Sequence, residues 1–191
     1  MGTKVSKIFY TAGWNFNYKR MLSHYGRKGR FTDVEQMNEI LIGRFNERVT
    51  DDDTVYILGG VGNYGSWQKV LNCLEWLNGR KILLPNRNDR ERVLKYNGVA
   101  DQFERVLEGR HAVITDGELD VVLMPNRPRD KHSALLTTRD GARVCLFGND
   151  FKGGSGNPYP HCYGVGVDKW GYAPVTLDEV LDWSGGENGN G

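Results

Sequence analysis

Thr54-Val55-Tyr56-Ile57-Leu58 is an apolar, β-rich run that stops at Gly59, Gly60 and Gly62. A short apolar run bounded by glycines reads as a buried strand. In an α/β fold the carboxyl end of such a strand is where backbone approaches a site. Position 60, which should present a side chain to that site, is glycine.

The flanking chain supplies the other elements. Residues 7–12 form a predicted first strand that ends at Gly13-Trp14-Asn15. Thr32-Asp33-Val34-Glu35 is a capping pattern that opens a helix through residue 49. Met37, Ile40, Leu41 and Phe45 share its inner face, while Asn38, Glu39 and Glu47 read as surface. Ser66 is placed to cap a second helix bearing Val70, Leu71, Leu74 and Leu77, with Cys73 a buried thiol beside them. Residues 81–84 read as a third strand leading into Pro85-Asn86-Arg87-Asn88-Asp89-Arg90. Residues 111–114 and 119–124 alternate around Asp116-Gly117, a hairpin signal, and Asp140-Gly141 marks another. Residues 163–170 read as a last core strand. Thr176 and Glu179 form the capping box of a closing helix. A single domain over residues 1–183, followed by a flexible tail at 184–191, accounts for these elements.

With 191 residues, 39% of them hydrophobic, the chain can bury one sizeable core. Its 25 Lys and Arg against 24 Asp and Glu favour neither a nucleic-acid nor a membrane partner. Cys73, Cys145 and Cys162 are an odd number without close spacing, which fits a reducing, cytoplasmic setting. Residues 17–30 concentrate Lys19, Arg20, Arg27, Lys28 and Arg30 among Tyr18, His24 and Tyr25. That stretch can cradle a phosphate or a nucleic-acid backbone, although a solvated loop is the simpler reading.

The order of these segments resembles the calcineurin-like metallophosphoesterases of the small bacterial and phage type. The resemblance covers roughly residues 5–183 and rests most on Asp51-Asp52-Asp53-Thr54-Val55-Tyr56-Ile57-Leu58-Gly59. It implies an α/β fold, a two-sheet α-β-β-α sandwich, and a site for two divalent ions, Mn, Fe, Zn or Ni. In that family the first strand ends in Asp-x-His, where this chain has Gly13 and Asn15. An aspartate bridges the two metals where Gly60 stands. The family's Gly-Asn-His-Asp falls on residues 86–89, so that Arg87 takes the metal-binding asparagine's place and Asn88 the histidine's, with Asp89 retained. A local slip would instead make Asn86 the asparagine. Asn126 stands for a metal-binding histidine, and Asn149 and Phe151 for the pair in Gly-His-x-His.

Aspartate would place negative charge between two cations, and imidazole would add neutral nitrogen. Glycine and asparagine offer neither, so no bound cofactor is expected. The resemblance therefore implies a phosphoric ester hydrolase scaffold that is catalytically silent. Asn88 and Asp89 are what remains of the catalytic motif. Arg87, Arg90 and Arg127 are candidates to hold a phosphorylated small molecule or nucleotide. The alternative is an active phosphomonoesterase or phosphodiesterase with a rearranged site drawing on His24, His132, His161, Asp89 and Asp150. If the scaffold is otherwise intact, Gly13→Asp, Asn15→His, Gly60→Asp, Asn126→His and Asn149→His together are expected to rebuild the metal pair.

Overall fold

A computed structural model describes residues 5–23, 27–62, 67–128, 143–149 and 159–187. The first sheet contains β1 (Ile8–Thr11), β2 (Thr54–Ile57), β3 (Arg80–Leu83) and β4 (Arg105–Val106), in that order and all parallel. Parallel neighbours need crossovers. Helices α1 (Val34–Asn46), α2 (Trp67–Glu75) and the short α3 (Arg87–Glu91) lie in those crossovers. Alternation along the strands explains the layering. Phe9, Val55, Ile57 and Leu83 point to the helix side, into a cluster with Met37, Leu41, Phe45, Val70 and Leu74. Tyr10, Leu58 and Leu84 point the other way, towards the second sheet.

That sheet contains β5 (Ala112–Asp116), β6 (Leu119–Asn126), β7 (Arg143–Asn149) and β8 (Cys162–Gly164). The β5–β6 pair is antiparallel, and its turn passes through Gly117 at φ +61°. This is the expected Asp116-Gly117 hairpin. Strands β6, β7 and β8 pair in parallel. The turn read at Asp140-Gly141 lies outside the described residues. Val121, Leu123, Val144, Leu146 and Tyr163 face Tyr10, Leu58 and Leu84 to make the inter-sheet core. After β8 the chain crosses to the first sheet, where the Val167 amide donates to the Ala12 carbonyl at 3.0 Å. The two sheets are thereby joined at β1.

The last helix, α4 (Leu177–Glu187), adds Leu177 and Val180 to the inter-sheet core. Its predicted cap is present, with the Thr176 amide donating to Glu179 Oε2 at 2.8 Å. The helix continues past residue 183, into the stretch read as tail. Three further expectations are corrected. The α1 cap is Asp33, which accepts from the Gln36 amide, while the Gln36 side chain accepts from the Thr32 amide. The N-cap is thus one residue later than the Thr32/Glu35 reading. Asn38 is buried and accepts from the Asn17 amide at 3.1 Å. Arg27, read as part of a solvated basic loop, is 0% exposed. Its neighbours Lys19, Arg20, Lys28 and Arg30 are exposed.

The described residues therefore make a mixed α/β fold with two four-stranded sheets. Among the described residues, helices cover the outer face of the first sheet and none covers that of the second. No described helix is long and apolar enough to cross a membrane.

Candidate functional site

Five strand ends meet at one edge of the sheets. Gly13 follows β1, Gly59 and Gly60 follow β2, and Asn86 follows β3, while β6 ends at Asn126 and β7 at Asn149. Gly13, Gly59 and Gly60 have φ of +75°, +72° and +75°, a left-handed conformation that glycine adopts at no steric cost. These turns are bonded to each other. The Gly13 amide donates to the Gly59 carbonyl at 2.9 Å and the Asn15 amide to the Gly60 carbonyl at 2.7 Å. A Cβ on Gly60 would lie 2.7 Å from Gly13 Cα and 3.0 Å from its nitrogen. Gly148 brings the second sheet closer still, since a Cβ there would fall 1.9 Å from the Leu58 carbonyl oxygen. The space an aspartate would enter at position 60 is filled by the main chain of residue 13.

Asp89 holds this arrangement from the α3 side. It is 0% exposed, and its Oδ2 accepts from the amides of Gly60 at 2.9 Å and Asn86 at 3.0 Å. Its Oδ1 accepts from the Val61 amide at 3.1 Å. Asn86 completes a capping box by accepting from the Asp89 amide at 2.9 Å. Burial pushes the Asp89 carboxyl above its ordinary value, against the opposing pull of the Asn86, Gly60 and Val61 amides and of Arg90. Both carboxylate oxygens are engaged by backbone donors, so Asp89 braces the glycine turn instead of facing a ligand.

On the other side, the buried Arg27 guanidinium donates to the carbonyls of Gly13 at 2.7 Å and Trp14 at 2.8 Å. Asp168 meets the same group at 2.6 and 3.2 Å. A buried cation requires such pairing and full hydrogen bonding. Asn15, 7% exposed at φ +51°, turns its amide back onto the Gly13 carbonyl at 3.0 Å. Asn88 Nδ2 reaches the Gly62 carbonyl at 3.4 Å.

The remaining candidates spread along the rim. Arg87 is exposed and pairs with Glu91 at 2.6 Å, and Arg90 donates to the Gly109 carbonyl. Arg87 is thus engaged by Glu91, while Arg90 also acts electrostatically on Asp89. Asn126 is exposed, stands in register with Asn149, and is followed by half-buried Arg127. Phe151, Asp150, His24 and His132 lie outside the described residues. His111 and His161 are exposed.

The residues present do not fit the two-metal centre that the resemblance implies. Position 60 has no room for a bridging carboxylate, Asn15 is folded onto backbone, and the Asp89 oxygens are occupied by amides. Among the described residues, no three His, Cys, Asp or Glu side chains converge as a metal-binding group.

No protein-family profile matches the chain. An uncharacterized protein of Methanocaldococcus jannaschii is 33% identical over 97 residues, which is 48% of this chain and 54% of the relative. The chain thus spans about half the length of that protein. The Gene 66 protein of Mycobacterium phage L5 is 25% identical over 200 aligned residues, covering 93% of this chain and 94% of the phage protein. A crystal structure of a protein of unknown function from Aquifex aeolicus superposes with a TM-score of 0.72 at 15% identity. It covers 94% of this chain and 100% of its own, a likeness of fold.

Sequence reasoning missed two of the residues that shape the edge. Asp89, assigned by the resemblance with Asn88 to the catalytic motif, is instead the partner of Asn86 in a capping box. Arg27 and Asp168 carry no local signal, because a fold-dependent pairing leaves no mark in either flanking sequence.

Proposed function

We propose that this chain is a calcineurin-like metallophosphoesterase scaffold in which the two-metal site has given way to a backbone-braced turn, and that it does not hydrolyse phosphoric esters. The packing at residue 60 carries this reading. A bridging carboxylate is what lets two divalent ions share one centre and activate water. Here that place belongs to Gly13, and Asp89 bonds the turn in position. A phosphorylated ligand remains compatible with the open space beside Gly13, where a Cβ would meet nothing within 4 Å, and with Arg127 at the rim.

The deciding experiment is metal content after purification without chelator, combined with turnover of bis-p-nitrophenyl phosphate in manganese, nickel or zinc. The expected result is no stoichiometric metal and no turnover that a chelator abolishes. Chelator-sensitive turnover would establish the opposite reading, an active phosphoesterase with a rearranged site. Titration with inorganic phosphate and with a nucleoside monophosphate then tests whether ligand binding survives without hydrolysis.

A further inference from the structure

Cys145 and Cys162 are exact register partners on the neighbouring parallel strands β7 and β8. The Cys145 amide donates to the His161 carbonyl at 2.8 Å, which fixes that register. Facing residues of paired strands project from the same side of a sheet. Here that side is the outer one, where both cysteines are 0% exposed and cluster with Phe147, half-buried Met124 and Tyr159. Neither is in a disulfide. Adjacent strands lie about 4.8 Å apart, and a disulfide closes over Cα separations of about 4.4–6.8 Å. A hydrogen bond to Cys162, together with burial, pushes the Cys145 thiol well above its ordinary value.

We propose that Cys145 and Cys162 are a modification site that closes into a reversible cross-strand disulfide when the protein meets a small-molecule disulfide of the glutathione class. One cysteine loses its proton, and its sulfur attacks a sulfur of the oxidant. A mixed disulfide forms and one glutathione thiolate leaves. The second cysteine, deprotonated in turn, attacks the protein sulfur of that mixed disulfide and expels the second glutathione. Two electrons pass from the protein sulfurs to the oxidant, and the two protons end on the departing glutathiones. Burial makes both attacks depend on local opening of β7 and β8, so closure is slow at neutral pH. Cys73 is an internal control. It lies in the helix-side core cluster, with its thiol pushed up to about 11 by burial. The bond would tie β7 to β8 just before Gly148 and Gly166, the two glycines through which the second sheet approaches the strand-end turn.

The test uses the full chain, folded, incubated with oxidised glutathione, then acid-quenched, unfolded and alkylated with N-ethylmaleimide. Intact mass should show one maleimide, on Cys73, and the loss of two hydrogens, and dithiothreitol added before the alkylation should instead give three maleimides. Proteolysis should yield a peptide linking Cys145 to Cys162. Cys145→Ala and Cys162→Ala should each remove that link. If either variant fails to fold, the wild-type peptide map decides alone. Three maleimides under conditions that oxidise the urea-unfolded chain would overturn the proposal, as would a link through Cys73.

Discussion

At residue 60 a single methyl group would compete for space with Gly13 Cα. Two costs combine there. The left-handed backbone costs a residue with Cβ about 1–2 kcal/mol, and overpacking adds about 1–3 kcal/mol. Gly13 has the same left-handed φ, but a Cβ there would meet nothing within 4 Å, so only the first cost applies. Gly60→Ala is therefore expected to destabilise by about 2–5 kcal/mol, and Gly13→Ala by about 1–2 kcal/mol. Urea denaturation of both variants measures the difference, and equal losses would mean that the turn has room to move. The identity of residue 60 was plain in the sequence, but its reason was not. Glycine there reads equally as a deleted ligand or as a packing requirement, and only the position of Gly13 separates the two. Arg27 shows the same limit, because its burial depends on the Gly13 and Trp14 carbonyls and on Asp168, which is 141 residues away in the chain.

Among the elements, those encoded by local pattern were legible. The strand at residues 54–57, the Asp116-Gly117 hairpin and the Thr176/Glu179 cap all formed, because each depends on neighbours in sequence. The α1 cap sits one residue later because the Asp33 carboxylate, the stronger acceptor, takes the Gln36 amide, while the Thr32 hydroxyl donates to Asp33. The parallel pairing of β6, β7 and β8, and with it the facing of Cys145 and Cys162, depends on distant register and had no sequence signature. The α4 cap also carries a pH dependence. Burial tends to raise the Glu179 carboxyl, but the Thr176 amide and Arg48 outweigh it and hold the group below its ordinary 4.5. A carboxyl lowered on folding stabilises the native state above its ordinary range, and this is lost as pH falls through the lowered value. Glu179→Gln is expected to lower the melting temperature near neutral pH and to narrow the gap from wild type below about pH 4. A constant gap across that range would show that the Glu179 charge contributes nothing.

For the molecule as a whole, the structure changes what restoring ligands should do. In a scaffold missing only its ligands, Gly13→Asp, Asn15→His, Gly60→Asp, Asn126→His and Asn149→His would reopen a metal pair. In this scaffold the aspartate at 60 must first displace Gly13, whose amide bonds Gly59 and whose carbonyl accepts from Arg27 and Asn15. Neighbouring substitutions of this kind couple, so strain at 60 spreads to 13 and 15 instead of adding independently. The fivefold variant is therefore expected to melt below wild type and to remain insensitive to manganese. The magnitude makes the outcome readable. Metal at a hundred times its dissociation constant stabilises the folded state by about 2.7 kcal/mol. For a chain of this length that raises the melting temperature by about 5–10 °C. A manganese-dependent rise of that size in the fivefold variant would mean that the Gly13–Gly60 contact yields readily, and the turn would then be an emptied metal site, not a rebuilt one.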